Sequence, residues 1–225
     1  MQQRKRALTS PSLIVFFALV CTSALITSCV APFSDLQSAK LLGKGNIEVT
    51  PSYSSVSVSD EGETDHIQNH FGAQIGFGLA KFMDLRLRYE HISATIDEES
   101  VSANVIGFGP KFRLAKNWLA FYLPIGFAFG GDIEDGSESW QIHPTLLATV
   151  PVGKYLEINP SAKIMIPFSS DAFDTLLAFN LGLAISSDVS KWAIRPEIGI
   201  CTTGGSGYFM QFSVGLSLGS GLFKK

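Results

Sequence analysis

Charge is scarce in this chain: Asp, Glu, Lys and Arg make up 16% of its 225 residues, and the formal net charge is −3. A chain so weakly and negatively charged has no basic patch with which to hold phosphates, so nucleic acid is not an expected partner. Cysteine is nearly absent too, with three in all. Cys21 and Cys29 sit near the N-terminus and Cys201 stands alone, which excludes a zinc-type cysteine cluster. His66, His70 and His143 are scattered over two predicted strands and form no metal triad. No loop has EF-hand spacing, and Gly72, Gly76 and Gly78 read as strand interior while Gly204, Gly205 and Gly207 read as a turn, so no phosphate cradle is present. Neither a cofactor nor a metal is expected. A helix-period stripe of useful length is also missing, and no apolar run reaches the ~20 residues a membrane-spanning helix needs.

What is there begins with Arg4, Lys5 and Arg6, followed by an apolar run from Leu13 to Ile26 broken only by Cys21, Thr22 and Ser23. A positive region followed by a short apolar region is the pattern of a signal peptide, assigned here to residues 1–28. Its end, Leu25-Ile26-Thr27-Ser28-Cys29, resembles the bacterial lipobox. The resemblance implies that Cys29 becomes the acylated first residue of the mature chain; an ordinary signal peptide with an incidental Cys29 is the alternative. Residues 29–43 read as a tether, 44–219 as the folded domain and 220–225 as a C-terminal tail. Removing residues 1–28 takes away three bases and no acids, which leaves 14 Lys and Arg against 20 Asp and Glu, a formal charge of −6.

From Lys44 onward apolar residues alternate with small or polar ones at period two, the pattern of strands with two unlike faces. Ten such segments are predicted: Lys44 to Val58, His66 to Ala80, Asp84 to Ile96, Val101 to Leu114, Trp118 to Gly130, Glu138 to Val152, Tyr155 to Pro167, Thr175 to Ser186, Trp192 to Thr203 and Gly207 to Leu218. Their connections alternate in character. One set is short and carries lysine, as in Ala80-Lys81-Phe82, Ala115-Lys116-Asn117-Trp118, Gly153-Lys154-Tyr155 and Ser190-Lys191-Trp192. The other is longer, and its loops around residues 60–65, 97–99, 132–138 and 171–174 hold 13 of the 20 acidic residues and no Lys or Arg.

Parity assigns the faces. Leu119, Phe121, Leu123, Ile125, Phe127 and Phe129 form one apolar row, and Tyr208, Met210, Phe212, Val214, Leu216 and Leu218 another, while Gln211, Ser213, Gly215 and Ser217 face the other way. Trp140, Trp192, Tyr53 and Tyr208 fall on the apolar face near strand ends, where interfacial girdles form. The expected fold is all-β: a single antiparallel up-and-down transmembrane β-barrel of about ten strands, with eight possible. From Lys44 to Leu218 the chain resembles the small outer-membrane barrels of Gram-negative bacteria, of the OmpA-type and porin-like kind. Ser213-Val214-Gly215-Leu216-Ser217-Leu218 is similar to the signal read by barrel-assembly machinery. The resemblance implies an integral outer-membrane protein with both termini in the periplasm, lysine turns inside and acidic loops outside, and with outer-membrane lipid, lipopolysaccharide and the assembly machinery as partners. Pro51, Pro110, Pro124, Pro144, Pro160 and Pro196 lie inside predicted strands, where each removes a ladder donor, so bulges or misplaced strand boundaries are expected there.

On this phase Glu48, Arg86, Arg88, Glu90, Lys111, Arg113, Glu157, Lys163, Arg195 and Glu197 point inward. Six cations and four anions in a narrow lumen are expected to pair. Tyr89-Glu90-His91-Ile92-Ser93 is similar to the His-x-Ser element of outer-membrane lipid A deacylases, which makes His91 and Ser93 candidate catalytic residues, with Glu98 or Glu99 as partner acid. The function expected is a non-enzymatic outer-membrane barrel lipoprotein with a structural or accessory surface role. The alternatives are a narrow anion-preferring pore, a lipid A-modifying hydrolase using His91 and Ser93, and a periplasmic lipocalin-like carrier.

Overall fold

Period-two alternation puts every apolar residue on one side of a sheet, and curling that sheet until its edges meet pairs every strand. The computed structural model, which describes residues 32–60, 62–96, 99–131, 133, 139–169, 174–202 and 207–222, is such a closed sheet of ten antiparallel strands. Four long strands come first: β1 Ile47–Asp60, β2 Glu63–Gly78, β3 Met83–Ile96 and β4 Glu99–Ala115. Strand β5 is in two pieces, Leu119–Tyr122 and Ile125–Phe129, and β6 in three, Gln141–Ile142, Thr145–Ala148 and Val150–Val152. Four continuous strands complete the wall: β7 Leu156–Pro167, β8 Leu176–Ile185, β9 Trp192–Thr202 and β10 Tyr208–Gly219. Neighbours in sequence are neighbours in the sheet, and β10 closes on β1 from Glu48↔Gly219 to Ser59↔Tyr208.

The prolines explain the broken strands. Leu123 N–H donates to the Pro110 carbonyl, His143 N–H to that of Pro124 and Ile164 N–H to that of Pro144, and no proline has an N–H to return. Pro110, Pro124 and Pro144 therefore form a seam across β4, β5 and β6, and the two gaps in β5 and β6 at Pro124 and Pro144 fall on it. Pro51, Pro110, Pro160 and Pro196 keep their strands in register without a bulge, opposite Ala73, Leu85, Leu181 and Val214. The shifts that do occur lie elsewhere, at Val56/Ser57 and at Arg113/Ala115.

The outer face is apolar and exposed over most of the wall: Phe71, Tyr89, Phe108, Leu146, Phe179, Leu181, Ile198, Ile200, Phe212 and Leu216 all lie on it. Aromatic residues collect near the strand ends. Phe82, Trp118 and Tyr155 stand exposed beside the lysine turns, Lys154 Nζ lies 5.4 Å above the Tyr155 ring, and Trp140 stacks on Phe127 at 4.4 Å. In the Gly153 turn the backbone takes φ +69°, the left-handed region that suits a residue without a Cβ. The inner face is small and polar, with Thr50, Ser54, Gln74, Thr145, Asn159, Asn180, Gln211, Ser213 and Ser217 all buried.

The stretch expected as a tether is, from Pro32 onward, packed inside the barrel. Phe33, Ser34, Asp35, Leu36, Gln37, Ser38 and Ala39 are all buried. The segment runs the length of the lumen and leaves it at the lysine turns, where Leu42 N–H donates to Asp84 at 3.0 Å. Pro32 and Leu222, the first and last described residues, lie at opposite ends of the barrel, not at one end as a free tether would leave them.

Candidate functional site

The lumen is where the chain concentrates its buried charge. Its floor, at the lysine-turn end, is built by β1, β3, β4 and β7. Arg86 Nη1 donates to Glu48 at 2.7 Å and its Nη2 lies 3.9 Å from Asp84, which is itself 3.8 Å from Lys111. Lys111 Nζ donates to the carbonyls of Ser38 and Lys40, and Lys40 pairs with Glu157. Halfway up, Glu197 accepts two consecutive main-chain N–H groups of the segment, from Asp35 at 2.7 Å and Leu36 at 2.9 Å. The Asp35 carboxylate faces Lys163 at 3.0 Å and accepts from Ser161 and Asn180. Arg88 pairs with Glu90 and donates to the Ser34 carbonyl, while Lys163 and Asn180 both reach the Phe33 carbonyl. Gln74 donates to the Asp35 carbonyl at 3.0 Å, and Ala39 N–H donates to Thr149 Oγ1 at 2.7 Å.

This pattern has a physical cause. An extended segment that is no part of a sheet ladder must find partners for its main-chain groups when buried, and here wall side chains supply them. The apolar side chains are received in turn. Phe33 packs among Val56, Met165, Leu176, Ala178 and Cys201, and Ala39 among Ala120, Tyr122 and Leu147. Inward glycines make the room: a Cβ at Gly215 would lie 3.4 Å from Leu36 Cδ1, one at Gly199 3.3 Å from Phe33, and one at Gly76 2.9 Å from Leu42.

Nine of the ten expected lumen charges stand inside: Glu48, Arg86, Arg88, Glu90, Lys111, Glu157, Lys163, Arg195 and Glu197. Arg113 does not. It keeps the register of Lys111, opposite Ala120, but lies at the end of β4, just before the ladder to β5 slips between Arg113 and Ala115, and is exposed there. Asp84, Asp35 and Lys40 join the network without having been expected. Asp84 shares the parity of Arg86, Arg88 and Glu90 and was legible from it; Asp35 and Lys40 belong to a stretch with no periodic signal. The wall carries five cations (Arg86, Arg88, Lys111, Lys163, Arg195) and five anions (Glu48, Asp84, Glu90, Glu157, Glu197), and the segment adds one of each.

What space remains is small or open. A cavity of about 50 Å³ lies under the loop end, lined by Pro32, Arg88, Tyr122, Gln141, His143 and Lys163 among others, which is room for a few waters. A polar vestibule of about 310 Å³ opens at the turn end beside Lys40, Glu48, Arg86, Glu157 and Arg195.

His91 and Ser93 lie on the outer face of β3. His91 Nδ1 is 3.2 Å from Asn104 Oδ1, which also accepts from Tyr89, and Ser93 Oγ donates to the Asn69 carbonyl at 3.5 Å. Among the described residues neither His91 nor Ser93 hydrogen-bonds the other, and no carboxylate pairs with His91. Glu98, Cys29 and the side chain of Glu99 lie outside what the structure describes.

No protein-family model and no curated protein matches the sequence. Among solved structures, an outer-membrane channel from Pseudomonas putida F1 is similar over 84% of this chain and 99% of its own, with 11% identity and a TM-score of 0.50. Ail from Yersinia pestis covers 78% of this chain and 99% of its own at 12% identity and a TM-score of 0.38. The N-terminal barrel domain of OprF from Pseudomonas aeruginosa covers 79% and 98% at 12% identity and 0.32. The fold of this chain is that of the outer-membrane β-barrels.

Proposed function

We propose that this protein is a non-enzymatic outer-membrane β-barrel lipoprotein, stopped by its own N-terminal segment, that serves a structural or accessory role at the cell surface. The observation that carries this reading is the burial of residues 33–39 within the lumen. A barrel of eight to ten strands is narrow to begin with, and this one holds a further stretch of its own chain where a solute would pass. The belt of exposed Phe, Leu and Ile around the wall is far larger than soluble monomers tolerate, and lipid is its natural solvent. In this orientation the lysine turns face the periplasm and the acidic loops face outward, where their carboxylates can share divalent cations with lipopolysaccharide phosphates. The assembly machinery would meet Ser213–Leu218 on β10. Two rival readings have less support: the wall charges balance, which weakens an anion-preferring pore, and the polar lumen suits no apolar cargo.

The test is conductance in planar bilayers of the mature protein and of a variant lacking residues 32–42, both checked for heat-modifiable migration. The full chain is expected to be silent and the shortened barrel to conduct. Steady conductance of the full chain at the level of the shortened one would overturn the sealed-barrel reading.

A further inference from the structure

The charges at the lysine-turn end of the lumen do not all pair with one another. Four cations, Lys40, Arg86, Lys111 and Arg195, gather there with three carboxylates, Glu48, Asp84 and Glu157. Each carboxylate has its cation: Glu48 accepts from Arg86, Asp84 faces Lys111, and Glu157 pairs with Lys40. Arg195 is left over. It is only 3% exposed, and among the described residues no carboxylate comes within ion-pairing distance of it. Its Nε donates to Ser217 Oγ at 2.6 Å, and that hydroxyl lies 3.0 Å from Thr50 Oγ1, so β10 and β1 together hold the guanidinium in one orientation. Its Nη1 has no hydrogen-bond partner. Arg86 repeats the pattern, with Nη1 engaged by Glu48 and a buried Nε that meets no acceptor.

Both guanidinium groups line the vestibule of about 310 Å³ at the turn end, a volume at the lower end of the range of small-molecule sites. Ser38 to Leu42 of the lumen segment form part of its wall, and with the lumen beyond them filled it is a blind pocket and not the mouth of a pore. Three bases, Lys40, Arg86 and Arg195, face it against two acids, Glu48 and Glu157. A buried cation without a partner is costly, and so is a buried N–H without an acceptor. One negative group placed beside Arg195 removes both penalties, whereas a bound cation would add to the first.

We propose that the turn-end vestibule is a binding site for a small oxyanion, a carboxylate or a phosphate, held by Arg195 and Arg86 with Lys40 at its rim. Oxyanions fit because the guanidinium is a planar fork of donors that matches two oxygens of one acid group, and an ion without such oxygens would leave the orphaned N–H groups unmet. Arg195 is the residue that decides affinity, since Arg86 and Lys40 already hold carboxylates. The site is independent of the compartment that the lysine turns face. It also leaves the sealed-barrel reading intact, because the anion enters a pocket beside the segment and need not displace it.

The test is calorimetric titration of the folded protein in a non-ionic detergent with sodium phosphate, sodium succinate and sodium chloride at one fixed ionic strength, repeated with Arg195→Gln and with Arg113→Gln, whose cation lies outside the vestibule. Phosphate, succinate or both are expected to bind the wild type and Arg113→Gln alike, and to bind Arg195→Gln about tenfold or more weaker. Which of the two salts binds tells a phosphate site from a carboxylate site. The same salts should raise the temperature at which the compact gel band disappears, because a ligand held only by the folded state stabilises it. Chloride acting as strongly as both oxyanions, binding unchanged in Arg195→Gln, or no binding by either oxyanion would overturn the proposal. A further readout separates a ligand site from a purely structural arginine. In oxyanion-free buffer Arg195→Met should be at least as heat-resistant as the wild type, since it removes a cation that has no partner; a marked fall, or failure to fold, would show that the wall itself needs the charge and would count against the site.

Discussion

Asp35 is the residue on which the seating of the lumen segment turns, since its carboxylate meets Lys163, Ser161 and Asn180 while its main-chain N–H meets Glu197. Replacing Lys163 by Met strands that carboxylate in a buried site, and loss of one partner of a buried pair costs about 3 to 5 kcal/mol. The temperature at which the compact gel band disappears should therefore fall in Lys163→Met, and Asp35→Leu combined with Lys163→Met should recover much of the loss; simple addition of the two single losses would show that the pair is not coupled. A second expectation concerns space. Gly215 faces Leu36 and Thr50 with no room beyond a hydrogen. Gly215→Phe should expel the segment while the wall stays closed, read as cleavage by added protease between residues 33 and 42 with heat-modifiable migration kept. A segment that stays protected would mean that the wall yields instead. At this scale the sequence was partly legible. Arg86, Arg88 and Glu90 could be read from parity because β3 has no irregularity; parity also put Arg113 in the row, but could not show that it falls at the exposed end of β4, where the ladder slips just beyond it. Asp35 gave no signal, since its partners lie more than a hundred residues away.

Among the elements, the strands divide into a continuous set and an interrupted one. β1, β2, β9 and β10 are each one continuous strand on either side of the closure, with a single register shift at Val56/Ser57, while β5 and β6 are broken at Pro124 and Pro144. Every missing N–H removes a ladder bond, so the seam should open more readily than the closure. In amide exchange measured in detergent, residues 119–129 and 141–152 should exchange faster than 47–60 and 208–219; uniform protection around the wall would contradict this. Alternation predicted all ten strands to within three residues of their observed ends, because a membrane wall leaves period two as its only pattern. It also assigned bulges to prolines that need none. A proline on a strand of a closed barrel forfeits one bond and keeps its extended backbone, so Pro51, Pro160 and Pro196 stay in register. Residues 33–42 lack period two altogether, since they pair with side chains and not with a strand. Nothing local distinguishes such a stretch from a free tether.

For the whole molecule, the account joins an apolar outer belt, a charge-balanced lumen and a chain that begins its fold inside its own barrel. The outer face and closure predict an integral membrane protein whose gel mobility shifts on heating whether or not Cys29 is present, because the wall alone holds it in lipid. A Cys29→Ser product found soluble and without a heat shift would reverse the assignment of faces. The central claim, that residues 33–42 fill the lumen, is tested most directly by single thiols at Ser34 and Gln37, both buried, in the folded Cys201→Ser protein. Each is treated with a water-soluble maleimide before and after heat unfolding. The account predicts that both are protected in the folded barrel and react fully once it is unfolded; reaction in the folded barrel at the rate of the unfolded chain would show that the segment is a free tether and the lumen open.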